Sequence, residues 1–381
     1  MSAEARRLKI CFVGWGNHIH VERWAGYFAR HGHEVSVISL SRLGDYPDGV
    51  RQYRMGLENR GPRWHRLKLR WLLARIRPDI VHVHWAHFAA DVAAVWKGPL
   101  VVTAWGSDIY LPDEFSAADW RRLGPALQRA DLLTCDATDL AEHIQATFGI
   151  ARSRVEVVQW GVDTDLFTPQ GPDLREELGL NGREVVFSAR NFSTLHNQET
   201  VVAAFALLHR RRPAAFLLMK YHRGEPDYLE RIEAQIAELG LRDHVRIVHS
   251  LEYEAMPALY RTADVMVSIP PSDATPMALF EAMAAEVPCV VCDIAPLREW
   301  VRDGVTGYLV DPLDAVAVAA CLERALDAGE QGRALRTRAR ALAVDRASQS
   351  AHMDAMQRLY FDLMKGGARH SLRTASMSSC T

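Results

Sequence analysis

Long apolar runs are missing from this chain. Nowhere do about 18 apolar residues follow one another, the length a membrane-crossing helix needs. The opening MSAEARRLKICFVGW has too short an apolar run for a secretory leader, so a cytoplasmic protein is expected. Cysteine is also sparse: six residues scattered without a framework fit reduced thiols rather than a disulfide scaffold. Cys289 and Cys292 have the spacing of a redox or zinc motif, but they fall in an apolar strand pattern, Pro288-Cys-Val-Val-Cys. Side chains three apart on a strand face opposite sides and cannot share an ion, so no metal is expected there. Basic excess is absent too. A net charge of −2 gives no footprint for a nucleic-acid partner. What remains is an ordinary soluble composition, 49% hydrophobic over 381 residues, for which about two domains are natural.

The first half opens with a buried-strand pattern, Leu8 to Val13, then Gly14-Trp-Gly16-Asn17-His18-Ile-His20, a helix from about Val21 to His31, and a second strand at Glu34–Ser39. Strand, glycine loop, helix and strand in this order begin a Rossmann-like half. As a dinucleotide fingerprint the loop is incomplete: a third glycine is missing and no acid follows the second strand. Arg42 leaves an NADP-dependent oxidoreductase as a remote alternative. The stretch 60–77 (RGPRWHRLKLRWLLARIR) carries seven Lys/Arg with interleaved Trp and Leu. It reads as a helix packed on the sheet with a solvated basic face, or alternatively as a patch for anionic lipid. His82 and His84 share a strand face, and that spacing alone does not make a metal site. Asp163-Thr-Asp165 mimics a metal-binding acid pair but runs into Phe167 and a Pro/Gly/Asn-rich linker, roughly 168–182.

The most informative stretch lies later, SIPPSDATPMALFEAMAA, Ser268 to Ala285. A strand ends in a Pro-Pro-Ser-Asp loop, and a helix follows. Thr275 is expected to cap that helix and Pro276 to take its first position. The free N–H groups there, near Met277 and Ala278, offer a place for phosphate. Asp273 lies just before this start. Glu281 lies on the helix, leaning back toward the same mouth. Two carboxylates beside a phosphate site suit the hydroxyls of sugars on either side of a diphosphate.

This arrangement resembles the retaining family 4 glycosyltransferases of GT-B architecture, whose signature is an acid, seven residues, then Glu-Ala-Met-Ala. Asp273 stands where Glu is usual. The resemblance extends from Leu8 to about Lys365 and includes the Asp79-x-Val-His-x-His strand, the Gly161-Val-Asp163 loop with Phe167, and the Glu299 to Gly307 run. It implies an α/β fold of two Rossmann-like domains facing each other across a cleft. The N-terminal one (1–170) would take the acceptor and the C-terminal one (171–345) the nucleotide sugar. A helix at 346–365 would pack back on the first domain, and the tail from 366 would be disordered.

The implied activity is metal-independent transfer of a sugar, with retention, from a nucleotide diphosphate sugar to an acceptor hydroxyl, with no cofactor. Arg190 would grip the diphosphate, Glu281 the ribose and Asp273 the donor sugar, with Leu251 near the base. The family lysine is replaced by a loop carrying His196 and Asn197, so Lys220 is the candidate substitute. A histidine that precedes Gly-Ser-Asp in many relatives is Trp105 here. Its role is open between His18, His20 and Asp108, with Gly16 and Asn17 beside them on the acceptor side. A nucleotide-sugar epimerase, a phosphorylase and a non-catalytic partner subunit remain alternatives. The acceptor could be a sugar, a lipid-linked sugar or a small molecule.

Overall fold

The computed structural model describes residues 7–56, 62–221, 225–249 and 252–365. Leu251, Arg60 at the head of the basic stretch, and the tail from 366 lie outside them. The chain divides into two compact units: one runs to Val158 and resumes at Met353, and the other is Gln159–His352.

The first unit holds a seven-stranded sheet in the order β3-β2-β1-β4-β5-β6-β7, every pair parallel. Its elements are β1 (Lys9–Gly14), α1 (Ile19–Arg30), β2 (Glu34–Ser39), β3 (Arg51–Arg54), α2 (Pro62–Ile76), β4 (Ile80–His84), α3 (Ala89–Val95), β5 (Leu100–Thr103), α4 (Ser107–Tyr110), α5 (Ala117–Arg129), β6 (Leu132–Cys135), α6 (Thr138–Phe148) and β7 (Val155–Val157). Helices on both faces explain why β1, β4, β5 and β6 are near-continuous apolar runs. Edge strand β3, RQYR, is polar and half-exposed, and the sequence pattern does not announce it. On α2 the buried stripe is Leu69, Leu72, Leu73 and Ile76, the helical period of a face packed on a core.

Two histidines in β4 sit deep in this unit. His82 exchanges hydrogen bonds with Tyr360 Oη and Thr103 Oγ1, and Thr103 continues the row to Thr134 across β6. Burial holds His82 well below the usual imidazole range and drops His84 to about 3. Both are neutral core members.

The second unit carries a six-stranded parallel sheet, order β10-β9-β8-β11-β12-β13. It is built from β8 (Glu184–Ser188), α7 (Gln198–Arg211), β9 (Ala215–Tyr221), α8 (Pro226–Glu238), β10 (Val245–His249), α9 (Met256–Thr262), β11 (Val265–Ser268), α10 (Met277–Ala284), β12 (Cys289–Cys292), α11 (Ala295–Arg298), β13 (Tyr308–Val310), α12 (Ala315–Leu326) and α13 (Gly329–Arg346). The last helix, α14 (Gln349–Lys365), starts three residues later than the expected 346. The backbone just before it is committed elsewhere: Val162 N–H donates to Ala347 O, and Gln349 N–H donates to Val162 O. From Met353 on, α14 belongs to the first unit, burying Met353, Met356 and Tyr360, with the Tyr360 ring 5.1 Å from Phe28.

In each sheet the strand order reverses once, between β1 and β4 in the first and between β8 and β11 in the second. In open parallel sheets, ligands bind beyond the carboxyl ends of the strands at such a point.

Candidate functional site

In the second unit the reversal point is charged. Arg190 follows β8 and Asp273 lies in the loop between β11 and α10. The guanidinium donates to Asp273 Oδ2 at 2.8 Å, both side chains being largely buried at 14% and 18% exposure. Asp273 Oδ1 accepts from Ala274 N–H at 2.9 Å, which fixes the carboxylate on both sides. Beside them His196 accepts or shares a hydrogen bond with Ser193 Oγ. Burial, then the neighbouring Arg190 charge, pull its pKa down to about 3. It is therefore a neutral ring and cannot replace a missing lysine charge.

Helix α10 differs from expectation at its start. Pro276, with ψ 132°, is the cap, Met277 is the first helical residue, and Thr275 is buried just before the cap. Proline's fixed φ suits either the cap or the first turn; here its extended ψ delays the helix by one residue. The first backbone bond is Leu279 N–H to Pro276 O, so Met277 and Ala278 keep the leading N–H groups. Glu281 is buried on this helix and accepts from Tyr260 Oη at 2.7 Å. Burial, then the Glu281 charge, raise Tyr260 well above the usual phenol range, so it stays a donor. Lys220, near the end of β9, is lowered by burial and partly restored by Glu281. Asn197 has its side chain committed: its amide N–H groups donate to Ile269 O and Pro312 O, and its oxygen accepts from Thr200. It sits in the left-handed region (φ 54°) and ties three segments together beneath the site.

In the first unit the reversal point is aromatic. His18 caps α1 and its Nδ1 accepts from His20 N–H at 3.3 Å. Trp105 lies against both imidazoles, with centroids 4.5 Å from His18 and 5.4 Å from His20. Trp15 follows β1 and Trp85 follows β4. Their rings meet at 4.7 Å, and Trp105 closes the group at 5.8 and 5.7 Å. All three are part-exposed. Trp85 holds φ 77°, an unfavourable backbone for a bulky residue.

Asp108 is what holds that geometry. Fully buried in α4, it accepts from Ala86 N–H (2.6 Å) and Trp105 N–H (2.9 Å), one on each oxygen. Burial raises it to about 6 in spite of these bonds. Each oxygen of Asp108 is thus engaged by backbone, which ties the two tryptophan loops together. Gly16 is explained by packing: a Cβ there would come within 2.6 Å of Ser39 Cβ, and its N–H donates to Ser39 Oγ. Asn17 Oδ1 accepts from Ser41 Oγ at 2.9 Å.

Sequence reasoning therefore named Arg190, Asp273 and His196, which the fold gathers in one place, and Glu281 with Lys220, which it gathers in another. Likewise His18, His20 and Trp105 meet. It overlooked Tyr260, Trp15 and Trp85. A signal for the tryptophans existed: each follows directly, or within two residues, the end of a buried strand. Among the described residues no group of three or more His, Cys, Asp or Glu is placed to hold a metal. No helix among them is long and apolar enough to cross a membrane.

Comparison with known proteins agrees with both halves. Residues 16–166 match the family described as Glycosyltransferase Family 4, and residues 171–342 match Glycosyl transferases group 1. A D-inositol 3-phosphate glycosyltransferase from Xylanimonas cellulosilytica is 29% identical over 287 residues, 70% of this chain and 68% of that protein. A GDP-mannose-dependent alpha-(1-6)-phosphatidylinositol monomannoside mannosyltransferase from Mycolicibacterium smegmatis is 29% identical over 253 residues, 61% of this chain and 64% of that protein. The crystal structure of Anabaena HepE with UDP and glucose superposes with a TM-score of 0.80 at 18% identity, covering 93% of this chain and all (100%) of that one. The chain belongs to the family 4 (group 1) glycosyltransferases, α/β enzymes of GT-B architecture that draw on a nucleotide-sugar donor.

Proposed function

We propose that the chain moves a sugar, with retention at the anomeric carbon and without a metal, from a nucleotide diphosphate sugar held by the second unit to an acceptor hydroxyl held by the first. The observation that carries this is the Arg190–Asp273 pair at the reversal point of the second sheet. A guanidinium is preorganised there beyond the strand ends, and a diphosphate is an anion its planar fork fits. Donor binding exchanges Asp273 for phosphate oxygens as the partner of Arg190. Asp273 is then free to face the sugar, where positive charge develops as the bond to the leaving diphosphate loosens. The leading N–H groups of α10 add fixed positive dipole on the phosphate side. In the step itself the bond from the anomeric carbon to phosphate oxygen breaks and the bond to acceptor oxygen forms on the same face. The acceptor proton passes to the leaving diphosphate oxygen, so no side-chain base is required. Glu281, held by Tyr260, binds the ribose hydroxyls, and Lys220 supplies a second, weaker charge. His18 and His20 orient the acceptor.

UDP is the first nucleotide to test, because the structural neighbour was crystallised with UDP and glucose; GDP follows from the mannosyltransferase relative. A thermal-shift panel of UDP, GDP, ADP and CMP sugars should show one class raising the melting temperature, since a ligand that binds only the folded state stabilises it. No shift with any donor would remove this reading.

A peripheral contact with anionic membrane is part of the same proposal. On α2, Trp64, Leu67 and Trp71 are 56%, 58% and 57% exposed at helical spacing, with Arg63 and Arg70 exposed beside them. Arg66 and Lys68 are already engaged, with Asp91 and the Met55 carbonyl respectively. Changing Arg63 and Arg70 to Glu should therefore suffice to release the chain from phosphatidylserine vesicles. Equal sedimentation of wild type with and without vesicles would end the membrane contact.

A further inference from the structure

Behind the tryptophans of the first unit lies an apolar cavity of about 240 Å³. Val13, Leu40, Met55, Leu69, Phe88 and Val92 make its apolar lining, with His65 and Asp91 as the polar members; they come from the ends of β1, β2 and β3, from α2, and from α3 and the turn before it. The catalytic reading uses none of these side chains. Asp91 is paired with Arg66 (3.0 Å) and Arg122 (2.5 Å), so its carboxylate is not left unpaired in the hollow. Phe88 is shared between the cavity and the aromatic floor: its ring meets Trp15 edge-on at 5.2 Å. Trp15 in turn touches Trp105, and Trp105 touches His18 and His20. An unbroken aromatic path thus leads from the acceptor-side histidines to a mainly apolar hollow in the same unit.

We infer that this cavity is an aglycone subsite, and that the acceptor is an amphipathic molecule whose hydroxyl lies at His18 and His20 while an alkyl or isoprenoid group crosses Trp15 and Phe88 into the hollow. The inference rests on the proposal that the first unit takes the acceptor. A purely polar sugar acceptor would leave the hollow unfilled and would gain nothing from a Phe88 wall. An apolar chain instead removes both its own surface and that of Phe88, Leu69 and Val92 from water. The flat faces of Trp15 and Trp105 suit the hydrogen-bearing face of a sugar ring at the junction.

The test compares n-octyl β-D-glucoside, below its micellar concentration, with methyl β-D-glucoside, by calorimetric titration into the UDP-saturated chain. The octyl compound should bind at least ~10-fold tighter, the scale of two buried methylenes. Val92→Phe, which fills the hollow, and Phe88→Ala, which removes its wall, should each bring the ratio close to one while UDP still binds. Should Val92→Phe not hold UDP as wild type does, Phe88→Ala alone carries the comparison. Equal binding of the two glucosides by wild type, with UDP retained, overturns the subsite and leaves the proposed function standing. An octyl preference that survives both substitutions also overturns it, because the chain then binds elsewhere, as on the exposed face of α2. Failure of every nucleotide to bind refutes instead the proposed function on which the inference rests.

Discussion

Two parallel sheets with the same reversal of strand order have put opposite chemistries at the same topological place. Where β8 and β11 diverge there is a part-buried ion pair beside a neutral histidine, with a tyrosine-held carboxylate on the helix that follows. Where β1 and β4 diverge there are three tryptophans, two histidines and a carboxylate turned inward onto backbone. Topology thus decides where a site is; the residues at the strand ends decide what it takes. On the function proposed above, the charged point suits an anion whose charge grows during reaction. The aromatic point is preorganised for shape and apolar surface, and its one buried acid serves the backbone.

The sharpest way to break this contrast is Arg190→Ala. If the charged point carries the chemistry, turnover should fall by at least ~100-fold, as for loss of one preorganised charge-stabilising group. Part of that loss belongs to Asp273, left buried without its partner, so the double variant with Asp273→Ala is needed: in a thermodynamic cycle it should recover stability but not turnover. Turnover like wild type in the single variant would put the diphosphate elsewhere.

Asp108 tests the aromatic point through pH. Its pKa is raised by burial from 3.8 to about 6. A raised acid favours the folded state most below its unfolded pKa, and that advantage is lost as pH rises through the folded one. Relative to Asp108→Asn, wild type should therefore lose about 3 kcal/mol between roughly pH 4 and pH 6, at 1.36 kcal/mol per pKa unit. Melting curves of both proteins across that range give the difference directly. A constant difference would mean that Asp108 is no more buried than an ordinary surface acid.

Within the charged point the two carboxylates should separate kinetically. Asp273→Asn keeps the shape but removes the charge beside the reacting sugar, and it also frees Arg190. It should lower kcat about 10-fold with donor affinity unchanged or tighter. Glu281→Gln should raise the donor KM more than it lowers kcat. Steady-state kinetics with an independent donor titration decides, and the reverse pattern would exchange the two roles. The smallest effect is expected from Tyr260→Phe, which removes one buried hydrogen bond to Glu281 and should cost about 1–2 kcal/mol of stability in a urea titration. No loss there would show that Glu281 is held by something else.

Much of the fold is legible in the amino-acid order, because strands buried on both faces leave unbroken apolar runs such as Ile10–Val13 and Leu132–Leu133 between helical patterns. Strand β3 escapes because RQYR, at a sheet edge, buries too little to show a pattern. The start of α10 is misjudged because Thr-Pro is compatible with two cap registers one residue apart, and only the ψ of Pro276 separates them. Arg190 and Asp273 are each visible as candidates. Their pairing across 83 positions is not, since side-chain contact between separate loops depends on strand order. The tryptophan floor is hidden for the same reason. Trp15, Trp85 and Trp105 become neighbours only once β1, β4 and β5 lie side by side.

The hydrogen bond from Tyr360 to His82 spans 278 positions of chain. The first unit encloses the second in sequence, since it stops at Val158 and resumes at Met353. On the ribosome, then, the order of completion is inverted: the second unit has all its residues available while the first, begun earlier, still lacks the helix that covers Phe28 and His82. Until that helix emerges, an apolar strip of the earlier unit stays open to solvent, so biosynthesis of this chain has an interval in which a chaperone or a ligand of the first unit would matter most.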